Sequence, residues 1–255
     1  MPKIGIFGAT GRVGRLLIEE ILNNKHFTLS SVYVRNELHY SLPSSTMVTD
    51  SFEVLLESSD VVIDFSSPQA TKALLEEALV VPKPIVIGTT GLDSDTSHLI
   101  QEASKKMPIL YATNMSRGVA ILNKISATVA SILKESDIEI CEIHHRHKKD
   151  SPSGTALTLA QNCAKARGVN LDNARISGRD GNIGARSKEE IAVMSLRGGD
   201  VVGRHTVGFY LDGEYLELTH NATSRLTFAK GALDMAIWLE HKKNGLYGIN
   251  DALGL

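Results

Sequence analysis

Short apolar runs alternate with segments of helical spacing through the first half of the chain. Residues 3–7 form the first apolar run, and apolar side chains from Leu16 to Leu22 follow at helical spacing. Further strands are predicted at residues 27–34, 60–65, 84–87 and 109–112, and further helices at 69–79 and 95–106. Strands and helices in regular succession are typical of a parallel, doubly wound sheet. We therefore predict an α/β fold for this part.

A different pattern begins near residue 117. Apolar residues near helical spacing predict a long helix to residue 132, and residues 137–143 alternate between polar and apolar as a half-buried strand does. Three strands then follow without long helices between them, and a closing helix is predicted at 226–243. The strands are predicted at 191–196, 203–211 and 214–219, the last two joined by the hairpin dipeptide Asp212-Gly213. The glycine-rich segment 178–186 before them is expected to be a mobile loop.

A glycine-rich turn connects the first strand to the first helix. It reads Gly8-Ala9-Thr10-Gly11-Arg12-Val13-Gly14. Glycines let the backbone approach a pyrophosphate, and the N-terminus of the following helix supplies positive potential. The spacing G-x-x-G-x-x-G is weak evidence by itself, but its position between strand and helix indicates a dinucleotide-binding domain.

The end of the second strand bears on the choice of dinucleotide. It reads Tyr33-Val34-Arg35-Asn36, and the first carboxylate is that of Glu37. A carboxylate here hydrogen-bonds the ribose 2′-hydroxyl of NAD, whereas a guanidinium suits the 2′-phosphate of NADP. We therefore expect NADPH to be favoured, with NADH as a second possibility. The alternative is that Arg35 is only a loop cation.

The run from Glu142 to Ala156 concentrates imidazoles, cations and a helix start. It follows the strand at 137–143 and opens a helix, with Pro152 suited to the first turn and Ser153 or Thr155 to the N-cap. Free N–H groups at a helix start attract an anion, and the neighbouring side chains suit a carboxylated substrate that needs a proton. A solvated basic patch and a metal site are the alternatives, although no second cluster of ligand residues lies at metal-binding spacing.

This run resembles the signature of the dihydrodipicolinate reductase family. The matching residues are Glu142, His144-His145-Arg146-His147-Lys148, Asp150 and Pro152-Ser153-Gly154-Thr155-Ala156. The resemblance extends over nearly the whole chain. Gly88-Thr89-Thr90 and Ala112-Thr113-Asn114-Met115, each after a predicted strand, resemble the family's cofactor-contacting segments. Val34 departs from the family, which commonly has an acidic residue before the arginine, and this again favours NADPH.

The resemblance implies a fold, a reaction and an assembly. The fold would be a Rossmann-like doubly wound parallel sheet of residues 1–116 and 226–255, plus an α+β domain of residues 117–225 with a mixed or antiparallel sheet. The first domain would bind the dinucleotide, and the second would bind substrate and form a homotetramer. The reaction would be NAD(P)H-dependent reduction of the cyclic dicarboxylate 4-hydroxy-tetrahydrodipicolinate to tetrahydrodipicolinate, in lysine and diaminopimelate biosynthesis.

The resemblance also implies roles for individual residues. His144 and Lys148 would be the catalytic residues that transfer the proton. Asp150 is expected to hold the shape of the loop. The expected substrate contacts are His145, Ser153, Gly154 and Thr155. The expected cofactor contacts are Gly8, Ala9, Thr10, Gly11, Arg12, Val13, Arg35, Gly88, Thr89, Thr90, Ala112, Thr113, Asn114 and Met115. No metal is expected.

Composition argues against several classes of protein. The chain has 255 residues and a net charge of −2, so nothing in its charge invites nucleic acid or an anionic membrane. No apolar run approaches membrane-spanning length, and Met1-Pro2-Lys3 leads directly into a strand, so no signal peptide is expected. The two cysteines, Cys141 and Cys163, lie inside predicted elements. This is typical of a reducing environment and predicts a cytoplasmic protein.

Two rival functions need different residues. A short-chain dehydrogenase needs Tyr-x-x-x-Lys, and none of the six tyrosines has a lysine four positions later. A non-catalytic NADP-sensing Rossmann protein would have no use for His144 and Lys148 beside a Ser-Gly-Thr helix start. The reductase is therefore the predicted function.

Overall fold

The chain divides into two compact units. The computed structural model describes all residues from 1 to 255. Unit 1 contains Met1–Arg117 and Arg225–Leu255, and unit 2 contains Gly118–Ser224. The assignment of cofactor binding to the first unit, and of substrate binding and oligomerisation to the second, stays a prediction.

Unit 1 is built on seven parallel strands. They are β1 (Lys3–Phe7), β2 (Thr28–Tyr33), β3 (Met47–Thr49), β4 (Val61–Asp64), β5 (Ile85–Ile87), β6 (Pro108–Tyr111) and β12 (Gly245–Tyr247). Their order across the sheet is β3-β2-β1-β4-β5-β6-β12, and every neighbouring pair is parallel. The strand order reverses between β1 and β4, which is where ligands bind in sheets of this type.

Helices pack on both faces of this sheet. They are α1 (Arg12–Asn23), α2 (Phe52–Glu57), α3 (Pro68–Ala78), α4 (Ser94–Ser104), α8 (Leu226–Glu240) and α9 (Ile249–Leu253). One hydrophobic cluster joins the sheet to α1 and α8, and a second joins it to α2, α3 and α4. Every residue of β4 and β5 is buried, as expected for strands covered on both faces. The predicted Rossmann-like sheet is confirmed.

Unit 2 contains a mixed sheet, as predicted. Its elements are α5 (Arg117–Ile132), which begins at the unit boundary, β7 (Asp137–His144), α6 (Gly154–Arg167), α7 (Leu171–Ala174), β8 (Arg175–Ile176), β9 (Ile191–Arg197), β10 (Gly203–Leu211) and β11 (Glu214–Ala222). The strand order is β11-β10-β7-β9-β8. The β10 strand is antiparallel to β11 and β7, whereas β7, β9 and β8 are parallel to one another.

The alternation along β7 decides which of its side chains face the interior. Ile138 and Ile140 are fully buried in a cluster that includes Leu159 and Cys163 of α6. The alternate residues of the strand, at 137, 139, 141 and 143, lie on the opposite face and are half-buried. The same period carries Glu142 and the last residue of the strand, His144, to the face that α6 covers.

Two predictions about element ends were wrong. The closing helix ends at Glu240 rather than at residue 243, because Gly245–Tyr247 forms β12 and pairs with β6. Pro152 precedes α6 instead of lying in its first turn. Ser153 is the N-cap, and its Oγ accepts a hydrogen bond from the Ala156 N–H.

The segment 178–186 is irregular, as predicted, but charged side chains hold it against β7. Arg179 donates to both carboxylate oxygens of Glu139, at 3.0 and 2.8 Å, and also pairs with Glu190. Arg186 lies 3.4 Å from the Asp137 carboxylate. The glycines predicted the irregular backbone, but they gave no sign of these ion pairs.

The fold has neither a membrane span nor a metal cluster. None of its helices combines the length and apolar character needed to cross a bilayer. No three His, Cys, Asp or Glu side chains are grouped so that they could hold a metal ion.

Candidate active site

A cavity of about 650 Å³ opens in unit 1 beyond the ends of β1 and β4. It is lined by Phe7, Gly8, Thr10, Gly11, Tyr33, Val34, Arg35, Phe52, Phe65, Ser66, Ser67, Gln69, Ala70 and Ala73. This is the reversal of strand order, where dinucleotides bind in such sheets. Among the predicted cofactor contacts, Gly8, Thr10, Gly11 and Arg35 line the cavity, and the others do not.

Close backbone packing explains two of the glycines in the turn. Gly8 has a φ of 93°, and a Cβ there would lie 2.3 Å from the carbonyl oxygen of Phe65. A Cβ on Gly14 would lie 2.2 Å from the carbonyl oxygen of Gly8. The helix α1 begins after Gly11 with no side-chain cap and no acidic residue in its first turn, so its N–H groups are open to an anion. This cradle fits the pyrophosphate of a dinucleotide.

The other wall of the cavity is aromatic and carries one charge. The rings of Tyr33 and Phe52 are stacked with their centroids 4.8 Å apart, and Phe7 packs against both. Arg35 is exposed and is the only charged residue among those that line the cavity. An apolar surface with one guanidinium suits an adenosine group that bears a phosphate.

Tyr40 connects the segment after β2 to the glycine turn. Its hydroxyl donates a hydrogen bond to the carbonyl oxygen of Ala9 over 2.9 Å, and the Arg15 guanidinium lies 5.4 Å from its ring centroid. Burial raises the pKa of the Tyr40 hydroxyl, so this group remains a donor at neutral pH. The segment that follows Arg35 is therefore bonded directly to the predicted pyrophosphate cradle.

The residues after β5 support the neighbouring turn after β4. A Cβ on Gly88 would lie 2.4 Å from the Phe65 ring, and the Thr89 Oγ1 accepts a hydrogen bond from the Ser66 N–H at 3.0 Å. The Asp64 carboxylate is fully buried and accepts from the same N–H at 2.9 Å. Burial raises the pKa of Asp64, and its hydrogen bonds oppose that effect. Two strand ends are thus joined beside the cavity.

The remaining predicted cofactor contacts differ in exposure. Thr10, Arg12, Thr90 and Thr113 are exposed, whereas Ala9 and Met115 are buried. Val13, Ala112 and Asn114 are half-buried. Their contacts with a cofactor stay a prediction.

In unit 2, a buried carboxylate organises the end of β7. Glu142 is fully buried, and its Oε2 lies 2.6 Å from the Nδ1 of His144. Arg197, at the end of β9, donates to both oxygens at 2.9 and 3.0 Å, and the Ser153 N–H donates to Oε1 at 3.0 Å. Burial pushes the pKa of Glu142 up, but the hydrogen bonds from Arg197, His144 and Ser153 outweigh it and hold that pKa below its usual value. Glu142 is therefore ionised and accepts every one of these bonds.

The turn after β7 brings Lys148 back towards this group. The Lys148 N–H bonds the His145 carbonyl at 3.1 Å, and its ammonium donates to Asp150 at 2.8 Å. The Asp150 carbonyl in turn accepts from Arg197 at 2.6 Å. Asp150 thus shapes the turn, as expected from the sequence.

The start of α6 is bonded to the same cluster. Ser153 is buried, and its Oγ lies 3.1 Å from the Nε2 of His205 while accepting from the Ala156 N–H at 3.2 Å. Gly154 is exposed and Thr155 is half-buried, so both are accessible to a ligand. Both the N–H and the hydroxyl of Ser153 are already used in hydrogen bonds within the protein.

The surroundings of His144 favour its neutral form. Burial lowers the pKa of His144, the hydrogen bond to Glu142 raises it, and the charges of Lys148 and Arg197 lower it, with a net decrease. His205 packs edge-on against the ring, with the centroids 5.1 Å apart, and burial lowers its own pKa to about 4. The lowered pKa values favour the uncharged form of both imidazoles at neutral pH, and Lys148 and Arg197 are the cations whose charges act on His144.

Comparisons with known proteins agree with this picture over the full length. The model described as "Dihydrodipicolinate reductase, N-terminus" matches residues 2–115, and "Dihydrodipicolinate reductase, C-terminus" matches residues 118–253. The chain belongs to the dihydrodipicolinate reductase family. The 4-hydroxy-tetrahydrodipicolinate reductase of Helicobacter hepaticus is 78% identical over 99% of both chains, and that of Wolinella succinogenes is 65% identical over 100% of both.

Solved structures extend the likeness to the fold. Dipicolinate-bound dihydrodipicolinate reductase from Paenisporosarcina sp. TG-14 matches with a TM-score of 0.81 and 23% identity, over 98% of this chain and 99% of that one. Aspartate dehydrogenase from Thermotoga maritima matches with a TM-score of 0.52 and 16% identity, over 95% and 98% of the two chains. The predicted family and fold class are confirmed. As a dihydrodipicolinate reductase family member, the chain is an oxidoreductase that uses a nicotinamide cofactor.

Sequence reasoning missed several residues of these two sites. It gave no role to Arg197 or His205, although both contact the Glu142 cluster. It also missed Phe52, because the short helix α2 was not predicted. One signal pointed to partners such as Arg197. The alternation along β7 places Glu142 on the buried face, and a buried carboxylate needs a charged or hydrogen-bonding partner.

Proposed function

We propose that this chain reduces 4-hydroxy-tetrahydrodipicolinate to tetrahydrodipicolinate, with NADPH as the preferred reductant. The observation that carries the proposal is identity of 78% and 65%, over the full length, with reductases named for that substrate. The net reaction consumes the substrate, NAD(P)H and one proton, and it releases the oxidised cofactor and water. The bound nicotinamide supplies the hydride, so the protein must position the ring and manage the proton.

His144 and Lys148 manage the proton in this proposal. Because Glu142 is ionised and can only accept, the His144 proton resides on Nδ1 and the lone pair on Nε2. Lys148, held by Asp150 at 2.8 Å, is the group that carries a proton to donate. The Nε2 of His144 accepts a proton from the Lys148 ammonium and passes it to the ring carbon next to the one that receives the hydride, and solvent restores the proton on Lys148.

The start of α6 binds a substrate carboxylate in this proposal. This 14-residue helix offers its positive end at Gly154 and Thr155, and no acidic residue lies in its first turn. His145 lies half-buried on the turn that precedes the helix. Ser153 then contributes by fixing the helix start to Glu142 through its N–H, and the contact of its hydroxyl with substrate remains a prediction.

Arg35 selects NADPH in this proposal. It is the one charged residue that lines the cavity of unit 1, and Val34 before it offers no carboxylate for a ribose 2′-hydroxyl. A guanidinium pairs with the 2′-phosphate of NADPH and has no such partner in NADH.

A second copy of the chain covers the outer face of the five-stranded sheet in this proposal. Leu196 and Tyr215 are 53% and 67% exposed, and by strand register both lie on the face away from α6. The edge strand β11 has no buried residue. Since long exposed edge strands and apolar faces favour association, we propose a homotetramer assembled through this sheet.

A turnover assay with two variants tests the reaction and the role of His144. Purified protein should oxidise NADPH when the substrate is generated enzymatically in the same solution. In His144→Gln, kcat should fall by roughly 10²- to 10⁴-fold, because proton transfer is lost while the fold and the cofactor site are kept. The Kd for NADPH should not change. Wild-type protein that does not oxidise NADPH in the presence of substrate would contradict the proposed reaction, and full activity in His144→Gln would contradict the role of His144.

A further inference from the structure

The two nitrogens of His144 have different surroundings. Nδ1 lies 2.6 Å from the ionised carboxylate of Glu142, which can only accept a hydrogen bond. Nε2 has no hydrogen-bond partner within the chain, and it faces Gly203 at the start of β10. A Cβ at Gly203 would lie 3.0 Å from Nε2, so the missing side chain leaves that nitrogen accessible. The ring thus presents one bonded side and one open side.

Arg197 completes the bonded side from another strand. In the parallel register of β7 and β9, Arg197 is the partner of His144 and Ser195 is the partner of Glu142. The Arg197 guanidinium therefore reaches both oxygens of Glu142, at 2.9 and 3.0 Å. Together with the Ser153 N–H, which donates at 3.0 Å, the guanidinium fixes the orientation of the Glu142 carboxylate. The carboxylate in turn holds the His144 ring through Nδ1.

We propose that Glu142 and Arg197 are positioning residues that hold His144 as its Nδ1–H tautomer, with Nε2 open beside Gly203. The inference rests on the proposed function, in which Nε2 takes part in proton transfer. Neither residue needs to touch the substrate. Glu142 fixes the tautomer and the ring orientation, and Arg197 balances the charge of Glu142 so that it does not turn His144 into an imidazolium.

The charges that face His144 support these separate roles for Glu142 and Arg197. They come from Glu142 on its own strand, Lys148 on the following turn and Arg197 on β9, while His205 on β10 is uncharged. Glu142 raises the pKa of His144, whereas burial, Lys148 and Arg197 lower it. Removing Arg197 leaves the Glu142–His144 pair with an uncompensated negative charge, so the pair takes up a proton at higher pH.

Glu142→Gln tests the tautomer. Both carboxylate oxygens accept two hydrogen bonds each, so the amide NH₂ of glutamine meets a donor in either orientation. The less unfavourable orientation turns the NH₂ towards Nδ1 and forces the proton of His144 onto Nε2. We expect kcat to fall by roughly 10²-fold or more, with an unchanged Kd for NADPH.

Arg197→Met and Arg197→Lys test the charge balance. In Arg197→Met, the acid limb of the kcat/KM profile should move to higher pH by at least about half a pH unit, because activity needs the unprotonated Nε2. Arg197→Lys keeps the charge, so its acid limb should stay near that of the wild type, and its kcat should exceed that of Arg197→Met. If Glu142→Gln does not fold, these two variants decide alone.

Arg179→Met is the matched control. Arg179 also donates two hydrogen bonds to a glutamate of β7, Glu139, but on the opposite face of the sheet. The Arg179→Met substitution should lower the Tm without moving the acid limb of the kcat/KM profile. The inference would be overturned if Arg197→Met had the same acid limb and the same kcat as the wild type. It would also be overturned if Arg197→Met and Arg179→Met lost equal amounts of kcat and neither displaced the acid limb. The proposed function would survive both results as long as His144→Gln is inactive.

Discussion

Replacing Arg35 with alanine should abolish most of the preference for NADPH over NADH. Arg35 is the only charged residue among the fourteen that line the cavity of unit 1, so no second cation there can replace it. A charge-assisted hydrogen bond contributes about 1.5–3 kcal/mol. Because Arg35 is exposed and screened by water, we expect the lower end of that range, which corresponds to a preference of roughly 10- to 30-fold.

Equilibrium titration of both cofactors against wild type and two variants measures this preference. In Arg35→Ala, the Kd for NADPH should rise by roughly 10- to 30-fold, while the Kd for NADH should change little. Arg12→Ala is the matched control, since Arg12 is an exposed arginine at the start of α1, beside the predicted pyrophosphate cradle and outside the segment after β2 that carries Arg35. It should weaken both cofactors alike and leave their ratio unchanged.

Salt adds an independent check on the same reasoning. The interaction of an exposed guanidinium with a phosphate is screened over about 10 Å at 0.1 M ionic strength, so the wild-type preference should decrease as salt is added. The reasoning is refuted if wild type binds both cofactors with equal affinity, or if Arg35→Ala retains the wild-type ratio.

Two further predictions concern the cofactor cradle and the assembly. Gly14→Ala should raise the Kd for NADPH by more than about tenfold and cost about 1–3 kcal/mol of stability, since its Cβ would lie 2.2 Å from the Gly8 carbonyl oxygen. Gly178→Ala, whose Cβ would meet nothing within 4 Å, is the control, and equal Kd values in the two variants would argue against the close packing. Light scattering should give the mass of four 27.6 kDa chains for wild type and a smaller assembly for Leu196→Glu. A monomeric wild type would contradict the tetramer.

Sequence reasoning succeeded where the deciding interactions are local. The alternation from Asp137 to Ile143 and the Asp212-Gly213 hairpin both appear in the structure with the predicted type. The apolar runs of unit 1 also became parallel strands, because strand, turn and helix signals repeat along contiguous sequence. The signature run was placed correctly between a strand and a helix for the same reason.

Interactions between distant segments could not be predicted in this way. Arg197 bonds Glu142 across 55 positions, and only the parallel pairing of β7 with β9 makes them neighbours. The three residues of β12 are too few to carry a strand pattern, and β12 exists because β6 offers an open edge. Phe52 reaches the cavity because it stacks on Tyr33, a contact that no spacing in the sequence indicates.

The bond between Tyr40 and Ala9 limits how cofactor choice can change by mutation. The segment after β2 is predicted to contact the adenosine ribose, and exchanging such a segment as a whole is one way to change the coenzyme specificity of an enzyme. Here that segment also carries the tyrosine whose hydroxyl donates to the backbone of the phosphate turn over 2.9 Å. A transplanted loop without this hydroxyl would leave the Ala9 carbonyl without its donor. The affinities for NADPH and NADH would then both decrease. Redesign of specificity in this chain should therefore substitute single side chains near Arg35 and keep Tyr40 in place.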